Sequence, residues 1–133
     1  MATMVGDDTI VQVSMHVNSS VSAVWQVLTG PDGVGVWLGP GAQLGGKGQS
    51  YRCDDGTYGV VRSYHPLEQL RLSWHCTGFP GGDDVTSAIE IDVTPEPGGT
   101  RLRLWHQGLP PGMTALMQQR WEQRLGTLAS LVA

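Results

Sequence analysis

Residues 41–48 read GAQLGGKG, one substitution short of the phosphate-cradling pattern G-x-x-x-x-G-K-[S/T], with Gly48 where the magnesium-binding hydroxyl belongs. Imidazoles for acid–base or metal chemistry come from His16, His65, His75 and His106, and thiols from Cys53 and Cys76. Carboxylates recur in pairs at Asp54-Asp55, Asp83-Asp84 and Glu90/Asp92. Each group has a chemistry it could perform, and its setting in the chain decides whether it can.

A phosphate loop needs a buried parallel strand before it and a helix starting at its lysine, so that backbone N–H groups face the anion. Here WLGP precedes the loop, and GQSYRCDDG follows as a strand running into a hairpin. Gly45-Gly46-Lys47-Gly48 therefore reads as a glycine turn, with the chain's one lysine exposed at its tip. His16 and His75 fall on the polar faces of strands, His65 in a turn, and His106 has no second histidine or acid on its face, so no metal set assembles. There is no G-x-S-x-G elbow, and neither cysteine has a histidine beside it on its own face. The paired carboxylates sit in turns or on a solvent face. No catalytic residue, metal or cofactor is assigned on these grounds.

The elements that would position these groups follow from periodicity. TIVQVSMHV alternates as a half-buried strand, and NSSVSAVWQVLTG places Val21, Val24, Trp25 and Leu28 at helical spacing behind Ser and Asn caps. In PDGVGVWLGPG, Gly33 and Gly35 each cost a helix about 1 kcal/mol, which predicts only a loose turn. QSYRC and TYGVVRSYH flank Asp55-Gly56, read as the two central residues of a type I′ hairpin. LRLSWHC, VTSAIEIDV and TRLRLWH continue as alternating strands, and Met113, Leu116, Met117, Trp121, Leu125, Leu128 and Val132 mark a long amphipathic closing helix. The expected fold is α+β: a curved antiparallel sheet of five or six strands with its helices on one face.

At 133 residues the chain fits one domain, residues 1–133, able to bury about two-thirds of its unfolded surface. A net charge of -4, with scattered arginines and no basic stripe, argues against a nucleic-acid partner. No stretch approaches the ~20 apolar residues of a membrane span, and MATMVGDDTIVQV lacks the features of a signal peptide, so a cytoplasmic location is expected.

The order of elements, together with Trp25, the WLGP of 37–40, Asp55-Gly56, Gly59, Pro66, the LSW of 72–74, Gly99-Thr100, His106, the GLP of 108–110 and Trp121, resembles the activator of heat shock protein 90 ATPase homologue-like family. That family lies in the START-like, helix-grip superfamily. The resemblance covers nearly the whole chain. It implies a long C-terminal helix gripped by the sheet, an apolar cavity between the two, and either a small-molecule ligand, a chaperone ATPase as partner, or cyclase- or hydrolase-type chemistry. Gly33 and Gly35 stand where the family carries a helical stretch, which again argues against a regular second helix.

Alternation names the residues facing that cavity. A turn at Asp55-Gly56 pairs Cys53 with Tyr58, and a turn centred near Leu67 pairs Tyr58 with Cys76, which puts all three on one face with Tyr51, Val60, Arg62 and Tyr64. Tyr58, Arg62, Trp74, His106, Met117 and Trp121 are thus expected to surround a small apolar or aromatic ligand; the same residues would otherwise be ordinary core. An enzyme on this fold would draw its acid–base groups from His106, Tyr58 and Arg62. Arg62 either meets a ligand carboxylate or is turned outward by a bulge. The two cysteines flank one strand, roughly 9–10 Å apart by strand spacing, and are expected to be free thiols. A ligand cavity predicts at least ~300 Å³ between Trp121 and Trp74. A protein partner or homodimer predicts an exposed apolar patch instead, with Trp105 as the outward aromatic.

Overall fold

The computed structural model describes residues 10–76 and 85–132. Asp83-Asp84 and the amino-terminal residues read above lie outside this range. Strand β1 (Ile10–Val17) is followed by α1 (Val21–Thr29) and α2 (Pro31–Trp37), then by β2 (Ser50–Arg52), β3 (Tyr58–His65), β4 (Gln69–Cys76), β5 (Val85–Glu96) and β6 (Gly99–Gln107). A single 3-10 turn (Pro111–Met113) leads into the long α3 (Thr114–Val132). The strands form one antiparallel sheet in the order β1-β6-β5-β4-β3-β2, a meander whose first strand returns to pair with the last.

The three helices cover one face of this sheet, and the core lies between. Helix α3 presents Met117, Trp121, Leu125 and Leu128 inward, all fully buried, whereas Leu116 is 55% exposed. Ser20 caps α1 by accepting the Ala23 N–H at 3.1 Å. From α3, Arg124 donates to the Trp37 and Leu38 carbonyls at 3.4 and 3.1 Å, closing the C-terminal end of α2.

Helix α2 is regular where the glycines predicted a loose turn. Pro31 starts it, and Gly33 lies against α1 so closely that a Cβ there would sit 1.6 Å from the Val27 carbonyl oxygen. The glycine that weakens helix propensity is thus required by the packing of two helices. Among the described residues no helix is long and apolar enough to cross a membrane.

Two register features correct the expected pairing. The β2–β3 connection is a three-residue turn, Asp54-Asp55-Gly56, in which Gly56 takes the left-handed conformation (φ +95°) and the Cys53 N–H bonds the Thr57 carbonyl at 2.7 Å. Asp55 then accepts the Thr57 N–H at 2.9 Å instead of sitting at the centre of a two-residue turn. The pairing becomes Tyr51↔Gly59 and Arg52↔Tyr58, one residue away from expectation, and a one-residue slip turns every side chain to the other face.

Between Val61 and Ser63 a β-bulge adds a second shift. Before it, Thr57, Gly59 and Val61 face the core; after it, Tyr64 does, with its ring edge-on to Trp25 at 5.7 Å. Cys53 and Cys76 are buried on either side of β3 and form no disulfide, but the residue between them is Thr57, not Tyr58. Burial pushes the Cys53 thiol up to about 11.

Candidate functional site

The interior is organised around one imidazole. His106 lies on β6 between Val11 of β1 and Ile89 of β5, points toward α3, and is 0% exposed. Its Nδ1 accepts the indole N–H of Trp121 at 3.0 Å, which fixes the tautomer, because an indole nitrogen only donates. The proton is therefore on Nε2, which donates to the Ser87 hydroxyl at 2.7 Å, and Ser87 donates in turn to the Trp74 carbonyl at 3.0 Å. Each member of this chain is satisfied in one direction. Burial holds the imidazole neutral, with its pKa lowered to about 3.

This arrangement decides what the pair of Ser87 and His106 can do. A nucleophilic serine needs an imidazole nitrogen free to take its proton. Here the nitrogen facing Ser87 already carries one. The pair is a structural link, and the acid–base role considered for His106 has no geometry to support it.

Around His106 the aromatic rings close up. Trp74 meets it edge-on at 4.8 Å and Trp121 at 5.8 Å, while Trp37 from α2 packs on Trp121 at 6.2 Å. The space expected to be open between Trp121 and Trp74 is occupied by the imidazole. One polar atom in this wall is left over. The Trp74 Nε1 is buried without a hydrogen-bond partner, whereas the indole N–H of Trp37 reaches the Leu28 carbonyl at 2.8 Å.

Beside Trp74, Tyr51 stretches over Gly59 and donates to the Ser73 carbonyl at 2.6 Å. The Val60 N–H, opposite, turns to the Ser73 hydroxyl at 2.9 Å. A Cβ on Gly59 would lie 2.0 Å from the Ser73 oxygen and 2.7 Å from the Tyr51 ring, so only glycine fits under the tyrosine.

Of the residues expected to form the site, Trp74, His106, Met117 and Trp121 are all in this interior and essentially fully buried. Tyr58 and Arg62 are not among them. The hairpin register carries Tyr58 to the opposite face, where it is 37% exposed, stacks on His75 at 5.0 Å and lies under Arg52. The same register leaves Arg62 exposed on that outer face. Ser87 was overlooked, although it shares the inward set of Ile89, Ile91 and Val93 on β5, and a hydroxyl in such a set was the available signal. Loop 41–48 is a turn: Gly48 N–H bonds the Val61 carbonyl at 2.8 Å, Lys47 is exposed, and no helix follows.

No curated protein matches the chain. Solved structures do. Protein MLL2253 from Mesorhizobium loti superposes with a TM-score of 0.81 at 23% identity, covering 92% of this chain and 96% of that one. CalU16 from Micromonospora echinospora gives 0.72 at 24% identity over 93% and 74% of the two chains. The Aha1 dimer from Colwellia psychrerythraea gives 0.74 at 17%, over 92% and 93%. At these identities the likeness establishes the helix-grip fold. A family model matches residues 18–133, from the start of the helical region to the last residue, and on that match the chain belongs to the activator of Hsp90 ATPase homolog 1-like family.

Proposed function

We propose that the protein binds a small, mostly apolar molecule bearing one hydrogen-bond acceptor, seated against Trp74 between the sheet and α3. The observation that carries this reading is the buried, unpartnered Trp74 N–H. A buried donor without an acceptor costs about 1–3 kcal/mol, and the neighbouring polar groups of Ser87, His106, Trp121 and Tyr51 have all found partners. An acceptor on a ligand would recover that cost. Met113 and Met117, on the inward side of the helical segment, are the unbranched side chains best able to make room.

A protein-partner reading, a chaperone ATPase or a second copy, has less support. The exposed large apolar residues Ile10, Tyr58, Leu67, Leu116 and Leu131 lie on separate elements or several turns apart along one helix. Two cysteines that form no disulfide favour a reducing, cytoplasmic setting.

The test is a matched pair of probes, 2-acetylnaphthalene and 2-ethylnaphthalene, titrated into ¹⁵N-labelled protein. The ketone should bind about tenfold tighter and shift the Trp74 indole resonance, assigned by its absence in Trp74→Phe, which should in turn equalise the two probes. Equal binding to the wild type, or an unmoved Trp74 resonance, would refute the proposal.

A further inference from the structure

The sheet face opposite the helices carries a second concavity, of about 400 Å³, within the size range of small-ligand sites. Its floor is Ala88 on β5, a small residue paired with Ser73 of β4 and Gln107 of β6. Around that floor stand Trp105 and Gln107 on one side, Arg62 and Arg71 on the other, with Glu90 at one end. The depth comes from one short side chain among long ones.

The arginines differ in what they are free to do. Arg71 is held by Glu90 at 3.0 Å, and Glu90 also accepts from Gln69 at 3.1 Å, so that carboxylate is fully engaged. Arg62 makes no ion pair among the described residues, and the hairpin register that turns Tyr58 outward turns Arg62, four residues on, to this same face. A guanidinium at a concavity walled by an indole supplies two complementary contacts: a bidentate cation for a carboxylate and a flat surface for a ring. Gln107 adds an amide that can donate to the second carboxylate oxygen or to a ring substituent.

We infer that this outer concavity is a binding site for a small aromatic carboxylate, with its ring against Trp105 and its anion on Arg62. The site is separate from the interior position at Trp74, which lies on the other side of the sheet and takes a neutral acceptor.

The experiment titrates 2-naphthoate into ¹⁵N-labelled protein at low and high salt and follows the indole and arginine Nε resonances. Binding should shift Trp105 and Arg62 and weaken as salt rises. Arg62→Gln should weaken it about tenfold or more, the usual scale for losing a charged hydrogen-bonding partner. Ala88→Leu, an exposed substitution that a strand tolerates, should fill the floor and block binding while the spectrum of the interior stays unchanged. Trp74→Phe should bind naphthoate as the wild type does, and Arg62→Gln should bind 2-acetylnaphthalene as the wild type does, so the two sites stand or fall separately. The inference is overturned if naphthoate binds Arg62→Gln or Ala88→Leu with wild-type affinity, if it shifts Trp74 and His106 in place of Trp105, or if only an acidic peptide and no free carboxylate binds.

Discussion

A neutral histidine at the centre of a sheet makes stability depend on pH with a defined sign. The folded pKa of His106 lies at about 3, below the ordinary value of 6.5, so the folded state resists the proton that the unfolded chain accepts. Above pH 6.5 both states are neutral and the full stability is present. Below it only the unfolded chain charges, and stability falls until about pH 3. Urea unfolding should therefore lose about 2 kcal/mol between pH 7 and pH 5. His106→Gln will start from a lower stability but should lack most of this slope. A histidine variant retaining the full slope would assign the effect to another group. From the sequence, His106 was legible as an inward residue through its place beside Leu102 and Leu104. Its partner was not, because the Trp121 bond joins residues that only the docking of α3 brings together.

At the scale of elements, strand alternation and helical spacing identify every described β-strand and the first and last helices, but not the regular helix at Pro31–Trp37. What they could not give was parity on β3. A Gly after two aspartates fits either a two-residue turn or the third place of a longer one, and the choice rests on where the left-handed residue falls, not on composition. The one-residue slip at the turn is why Tyr58 and Arg62 face outward against expectation, and the bulge after Val61, which has no composition signal, reverses the slip so that Tyr64 faces inward as expected.

The two glycines of α2 show the same gap between propensity and packing. Gly35 has open space around a built Cβ, so Gly35→Ala should stabilise by about 0.5–1 kcal/mol. Gly33→Ala gains the same propensity but drives a methyl into the Val27 carbonyl, and should destabilise by about 2 kcal/mol or more. Thermal melts of the two variants should move in opposite directions, and a shared direction would show that helix propensity alone governs this segment.

For the whole molecule, one sheet separates two unlike chemical environments. Inside, aromatic rings and a single directional hydrogen-bond chain leave one donor unmatched at Trp74. Outside, charged rows frame an indole. The family resemblance foresaw the interior and its apolar character, and four of the six residues expected there are present. It did not foresee that an imidazole would fill the middle of that space, since neither spacing nor motif reports how far two facing side chains reach.

The bond from Trp121 to His106 also bears on the order in which the molecule assembles. Ser87 on β5 orients the imidazole on β6, and both strands must be paired before the nitrogen that receives Trp121 faces α3. The last helix can lock onto this bond only once the sheet is in place, so the contact is expected to form late in folding. Trp121→Phe should accordingly speed unfolding severalfold and leave the folding rate nearly unchanged, a low φ-value measurable by stopped-flow chevron analysis.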